Sequence, residues 1–265
     1  MRHHALVAAG LTLLHAGPGA TWLPPVRRLL PSLAGEGDPG HVALTFDDGP
    51  DPRSTPLFLD ELDRLGCRAT FFLLGEMLDR HPEVGRSIAR AGHEVAVHGW
   101  RHDNTLVTRP GRVAAEMGGA VRLVTAVTGI RPSWYRPPYG VLSAEALLAA
   151  RWHGLRPVLW TAWGRDWTER ATPESVLSTL EPGLRGGATL LLHDCDHTSA
   201  PDSWRSALGA LAGVVGRCRA AGLRVGPLGA HGVGRPHTSR TGVVPGGARP
   251  HRLPVRATLY PRPEV

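Results

Sequence analysis

His41–Val42–Ala43–Leu44–Thr45–Phe46–Asp47–Asp48–Gly49–Pro50 runs from an apolar stretch into an acidic turn. Val42–Phe46 is a short continuous apolar run, as expected for a strand buried on both faces of a parallel sheet. Two carboxylates, Asp47 and Asp48, end it. Burying one carboxylate is costly unless it is paired or binds a metal, and burying two costs more. The pair therefore calls for a cation. The alternative is an Asp–Gly turn in which Asp47 or Asp48 caps the next segment. The pair alone does not choose between them.

Outward from this stretch, strand and helix signals alternate. Phe58, Leu62 and Leu65 recur at helical spacing, and Gly66 stops that helix. Thr70–Leu74 reads as a second strand, Val84, Ile88 and Ala91 as a helix ending at Gly92, and Glu94–His98 as a third strand. Val113, Met117, Ala120, Val124 and Val127 mark one face of a long helix before a fourth strand, Ser133–Arg136. Ser143 can cap a helix through Leu147 and Leu148, and Pro157–Trp160 reads as a fifth strand. Thr172–Pro173 is a helix start, with Thr as N-cap and Pro at the first helical position. Ala188–His193 is a sixth strand, Leu208, Leu211 and Val215 lie on a last helix, and Leu223–Val225 is a seventh strand. Alternation of this kind means parallel strands joined by right-handed crossovers. The fold class is α/β, a distorted (β/α) barrel with about seven parallel strands, whose chemistry belongs at the C-terminal strand ends.

The polar clusters obey that rule. His98–Gly99–Trp100–Arg101–His102 closes the third strand; two His four residues apart can chelate one ion on a helical turn. With Asp48 they supply two imidazoles and a carboxylate, a set that suits zinc or a similar divalent metal with one position open. His pairs also occur as capped surface residues; His93 and His153, which end no strand, read as surface residues. Trp134–Tyr135–Arg136–Pro137–Pro138–Tyr139–Gly140 ends the fourth strand. Arg136 can hold a carboxylate by a fork of hydrogen bonds, Pro137 and Pro138 fix the exit backbone, and Tyr139 can supply a donor. The alternative is a rigid turn with a surface Arg. Asp166–Trp167 follows the fifth strand: the acid could orient another group and the indole could wall a sugar ring, or both could be loop residues. His193 ends the run Leu190–Leu192 and is placed for general acid chemistry, where a lone His would read as a core residue. Five such clusters, each at the C-terminal end of a strand, are brought together by a barrel.

In order, the segments TFDDGP, HGWRH, RPPYG, RDW and LLLHD resemble the five motifs of the polysaccharide deacetylases of carbohydrate esterase family 4, over about residues 41–228. The resemblance implies the distorted barrel and the removal of N-acetyl groups from amino-sugar polymers, chitooligosaccharide or peptidoglycan. It implies Asp47 as general base, Asp48, His98 and His102 as ligands of a divalent metal, usually zinc, and His193 as general acid. The Tyr139 backbone N–H would help hold the oxyanion, and Arg136 and Asp166 would tune base and acid. Trp167, Pro137 and Tyr139 would meet the substrate. Two departures stand out: Gly99 replaces the usual Ser or Thr after the first metal His, and Trp163 stands where many relatives carry an acid. These leave room for the same machinery acting on a formamide, imide, ureide or acetylated xylan. Two rival functions are a non-catalytic sugar-binding module and a zinc-stabilised structural domain.

The 265 residues carry a net charge of +7, and every basic residue besides His is Arg. A basic surface can face an anionic partner such as a cell wall. No Arg-rich helix interleaved with aromatics suggests nucleic acid; the expected partner is a carbohydrate, and the chain is expected to be a monomer. Three cysteines without CxxC spacing, Cys67, Cys195 and Cys218, make neither a disulfide framework nor a zinc knuckle. Cys67 and Cys218 read as buried thiols and Cys195 as a neighbour of the site. Residues 1–40 form a leader: the apolar run Ala5–Leu14 and the small residues after it resemble a signal peptide or an apolar anchor, which makes the protein exported or envelope-associated, unless the leader packs on the domain. Residues 41–230 are the catalytic domain. His231–Val265, with six Arg, one acid and many Gly and Pro, reads as a basic tail without a core of its own.

Overall fold

The computed structural model describes residues 2–234. The amino-terminal part contains helices α1 (Arg2–Ala16), α2 (Pro24–Arg28) and α3 (Pro31–Ala34). Strand β1 (His41–Asp47) is followed by α4 (Thr55–Arg64), β2 (Thr70–Leu73), α5 (Gly75–Arg80), α6 (Pro82–Arg90) and β3 (Glu94–Val97). Then come α7 (Arg112–Thr128), β4 (Trp134–Tyr135), α8 (Ala144–Trp152), β5 (Arg156–Pro157) and β6 (Ala162–Trp163). The order closes with α9 (Pro173–Leu180), β7 (Thr189–His193), α10 (Trp204–Ala220) and β8 (Arg224–Gly226). All pairings are parallel, in the order β5-β4-β3-β2-β1-β7-β6, and β8 pairs the first half of β1. This is the expected α/β architecture, a curled sheet of parallel strands with helices outside.

Period-two alternation sorts the two faces. Val42, Leu44 and Phe46 of β1 pack outward with Phe58 and Leu62 of α4. Ala43, Phe72, Ala96 and Trp134 form a second, inner cluster. Each fully buried Leu or Phe contributes roughly 1.5–3 kcal/mol, so the outer layer carries most of the stability. The inner face instead accommodates polar side chains, among them Thr45 and Arg136, both fully buried. The caps read from sequence are present: Ser143 accepts from the Ala146 N–H, and Thr172 and Ser175 form a reciprocal capping box on α9.

The expected fifth strand, Pro157–Trp160, is divided. Residues 156–157 pair with β4 and residues 162–163 with β7, so one segment touches both sheet edges. Between them the backbone finds other partners: the Leu159 N–H donates to Leu33 O at 2.7 Å, and Leu159 O accepts from Arg136 Nη2 at 2.9 Å. Buried backbone groups must be satisfied, and here a preceding segment and a side chain do it in place of a strand.

The boundaries expected at residues 40 and 230 do not fall between separate sets of contacts. Besides Leu33, Gly35 O accepts from Thr189 Oγ1 at 2.6 Å, and the Gly37 N–H donates to Gly187 O at 3.0 Å. His231 is fully buried, its Nδ1 lies 2.8 Å from Nδ1 of His41, and Val233 belongs to the inner cluster. The rest of the tail, residues 235–265, lies outside the described residues. In α1, Leu11, Leu13 and Leu14 are exposed. No helix among the described residues is long and apolar enough to cross a membrane.

Candidate active site

The sheet register gathers the strand ends. Asp47 is level with His193 of β7 and with Phe72 of β2, and Val97, next to His98, is level with Tyr135, next to Arg136. Asp47 faces inward and meets Arg136, whose Nη1 donates to Asp47 Oδ1 at 2.7 Å and to Thr45 Oγ1 at 2.8 Å. The guanidinium carbon lies 4.0 Å from the Phe72 ring centroid, and no part of Arg136 is exposed. A charge buried this deeply needs its partner, because losing one member strands the other.

Asp48 sits in left-handed backbone (φ 79), which turns its carboxylate away from the Asp47 direction and under two rings. Asp48 Oδ1 lies 3.3 Å from His98 Nε2 and 3.4 Å from His102 Nε2. His98 Nδ1 is 2.8 Å from Arg136 O, a carbonyl that can only accept, so Nδ1 carries the proton and a neutral His98 points a lone pair at Asp48. Asp48 Oδ1 and His102 Nδ1 are buried without a hydrogen-bond partner among the described residues. Asp48 Oδ1 and the Nε2 atoms of His98 and His102 converge, an arrangement that a divalent cation satisfies. Asp48, His98 and His102 form a group whose ligand atoms lie within 4.8 Å of one another. Burial opposes the charge on Asp48, yet the nearby imidazoles of His98, His102 and His193 hold its carboxyl far below the usual range. Burial pushes His102 down to about 4, which keeps it a neutral ligand. Thr198, which nothing in the sequence singled out, donates its hydroxyl to Asp48 Oδ2 at 2.5 Å.

His193 faces this group across the cleft. Asp166 accepts from its backbone N–H at 2.7 Å and lies 3.2 Å from its Nδ1. Burial opposes a charged ring, but the carboxylates of Asp166, Asp48 and Asp47 outweigh it and lift His193 to about 10. A cleft of about 330 Å³ opens above Asp47, His98, His102 and His193. Pro137 and Tyr139 form one side; Tyr139, itself left-handed (φ 58), sets its ring edge-on to His102 at 4.5 Å. Trp163 and Trp167 form the other, with Trp167 packed against His193 at 5.6 Å. Every site residue expected from the sequence is thus in or directly beneath one cleft.

Three further features were not read from the sequence. Trp22 and Trp160 also line the cleft, Trp22 from the amino-terminal segment. His93 is a core residue, not a surface one: its Nδ1 accepts from the Ala69 N–H at 3.1 Å and its ring packs on Phe71. Asp194 points away from the cleft; burial lifts it to about 7, against the Thr55 hydroxyl that donates to it at 2.5 Å. Cys195 is buried, and burial raises its thiol so far that it carries no nucleophile, as expected of a passive neighbour.

Residues 34–158 match the sequence profile described as polysaccharide deacetylase. A chitooligosaccharide deacetylase of Bradyrhizobium sp. (strain ANU 289) is 37% identical over 154 residues, 58% of this chain and 70% of that protein. The chain belongs to the polysaccharide deacetylase family. Among solved structures, the Bc1960 peptidoglycan N-acetylglucosamine deacetylase superposes with a TM-score of 0.72 at 27% identity, covering 80% of this chain and 97% of that one. A mutant of BA3943, a pseudoenzyme of carbohydrate esterase family 4 with restored activity, gives a TM-score of 0.66 at 26% identity over 72% of this chain and 68% of that one. In other curated deacetylases of chitin and peptidoglycan the match spans only 33–58% of the relative's length. Two family departures acquire a physical setting. Gly99 has φ 94, where a side chain is strained although a Cβ would find space 3.7 Å from Pro138. Trp163 stacks on Trp160 at 5.9 Å and lies edge-on to Trp167 at 5.1 Å, joining the aromatic wall.

Proposed function

We propose that this polysaccharide deacetylase is a metal-dependent hydrolase that removes N-acetyl groups from an amino-sugar glycan. The observation that carries the reading is the juxtaposition, over one cleft, of a three-donor cation site with an Arg-paired carboxylate and an Asp-paired imidazole. Asp48, His98 and His102 would hold the ion, and their N,N,O donor set favours zinc. When bound, such an ion lowers the pKa of water and polarises an amide oxygen.

The chain's own residues divide the proton work. Asp47, held in place by Arg136, accepts the proton of the attacking water. The backbone N–H of Tyr139 supports the oxyanion that develops on the acetyl carbon. His193, charged under the influence of Asp166, gives its proton to the departing amine nitrogen. Acetate and a free amino sugar result. The aromatic faces of Trp163 and Trp167 suit the apolar face of a sugar ring, and Pro137 shapes the opposite wall. A non-catalytic sugar-binding module would have no use for both an Arg-paired Asp47 and an Asp-paired His193 over one cleft. We further propose a monomer that acts at the cell envelope or outside the cell.

A panel of substrates tests the reading: chitooligosaccharides, peptidoglycan fragments, N-formyl analogues and acetylated xylan, each with chelator and with added zinc. Acetate release from the amino-sugar substrates, lost with chelator and restored by zinc, is expected. Formate release alone, or release only from xylan, would replace the substrate; no metal dependence would overturn the mechanism.

A further inference from the structure

Asp48 is completely buried, and its two carboxylate oxygens meet different surroundings. Oδ1 lies 3.3 Å from His98 Nε2 and 3.4 Å from His102 Nε2, and is without a hydrogen-bond partner among the described residues. Oδ2 accepts from the hydroxyl of Thr198 at 2.5 Å. The last torsion of an Asp side chain is broad and roughly two-fold, so by itself it does not hold one oxygen toward the imidazoles. A hydroxyl donating to the other oxygen does. Thr198 stands 150 residues further along the chain, between β7 and α10, where it also lines the cleft.

An exposed turn orients a hydroxyl only if the turn itself is fastened, and this one is fastened on both sides of Thr198. Asp196 Oδ1 accepts from Arg53 Nη2 at 2.6 Å, and the same nitrogen reaches Asp51 Oδ2 at 3.3 Å, on the segment that follows Asp48. Asp196 Oδ2 accepts from the Asp202 N–H at 2.8 Å, which closes the turn. The Ala200 N–H donates to Trp167 O at 3.1 Å, which joins the turn to the wall of the cleft. The Arg53 ion pairs are exposed and add little stability; with the backbone bonds they supply direction.

We infer that Thr198 is a positioning residue of the metal site: its hydroxyl occupies Asp48 Oδ2, so that Oδ1 alone is presented to an ion shared with His98 and His102. The role rests on the metal-dependent reading, because a site that holds no ion has no use for a distinction between the two oxygens. Hydrogen-bond partners of metal-binding side chains govern affinity by about 10–100-fold.

Zinc titrated into the metal-free full chain against a chromophoric chelator reads that affinity apart from turnover. Thr198→Val keeps the shape of the side chain and removes the donor, and should weaken zinc binding about 10–100-fold. Thr198→Ser keeps the hydroxyl and should bind zinc as the unaltered chain does. Thr198→Ala takes the place of Thr198→Val if the latter does not fold. Equal affinity in Thr198→Val and the unaltered chain overturns the role. Equal weakening in Thr198→Ser and Thr198→Val assigns the effect to the methyl group and overturns it too. An unaltered chain that takes up no zinc would instead refute the metal-dependent reading, and the role of Thr198 with it.

Discussion

Arg136 and Asp47 are both buried, 2.7 Å apart, directly beneath the cleft. A pair placed so deep costs desolvation that a hydrophobic pair would not. The arrangement makes sense if Arg136 holds Asp47 in place to accept a proton beside a bound cation. Asp47→Asn should therefore lower turnover by roughly 10²–10⁴-fold, the usual contribution of a positioned base, while zinc still binds at one equivalent through Asp48, His98 and His102. Rate and metal content of the same preparation check this; near-normal turnover would remove Asp47 from the role. His193 must be protonated to act, so activity falls as pH rises through its pKa. Asp166 is its nearest anion and helps lift it to about 10. Asp166→Asn should lower that pKa and move the basic limb of the pH–rate profile to lower pH; an unmoved limb would contradict the pairing. Asp47, Arg136 and His193 were legible because each ends a run rich in apolar residues, which marks a polar side chain as both buried and at the rim; Asp166, after Gly164 and Arg165, was legible only through the motif it belongs to. Thr198 and Trp22 had no such flag: one lies in a loop beyond the last site motif, the other in a Pro-rich stretch, and only tertiary contact gives them meaning.

Helices and strands differ in how much of themselves they disclose. Thr172 and Ser175 satisfy two orphan groups at the start of α9, a local arrangement whose Thr–Pro start the sequence displays. Thr172→Ala should cost about 1 kcal/mol of stability, read by urea denaturation, with turnover on oligosaccharides unchanged because α9 holds no cleft residue. A loss in turnover at equal folded fraction would mean the cap positions the site. β1 and β7 were legible from their length and continuous apolar character. β4, β5 and β6 are two residues long each, too short for a periodic signal, and of the three only β4 lies where a strand was expected as it stands, within Ser133–Arg136. The chain between β5 and β6 is held by Leu33 and Arg136, partners far away in sequence, so the split could not be read locally.

At the scale of the molecule, the start of β1 is tied to the end of the described chain through His41 and His231. Burial, together with the charges of His231 and Arg224, lowers His41 to about 4. The unfolded chain then binds more protons than the fold between that value and about 6.5, the ordinary His value. The contribution of His41 is complete above about pH 6.5 and is lost as pH falls toward 4. Denaturation midpoints across this range should fall with acid in the native chain and fall less in His41→Phe. A chain ending at Ala230 should be about 2 kcal/mol less stable than one ending at Gly234, since it lacks the buried Val233 and the His231 contacts. Equal stabilities would place the fold's end where the sequence suggested it. For the amino-terminal segment the sequence left open a signal peptide, an apolar anchor or a leader packed on the domain; residues 33–37 satisfy backbone and side-chain groups of the sheet region. The claim on which everything else depends is that one ion held by Asp48, His98 and His102 makes this site a deacetylase. Metal-free protein titrated with zinc, with acetate release from a chitooligosaccharide followed at each addition, tests it most directly. Activity should rise linearly to one equivalent and stop, and should stay absent in His98→Ala; activity that is independent of zinc, or equal in His98→Ala, would contradict it.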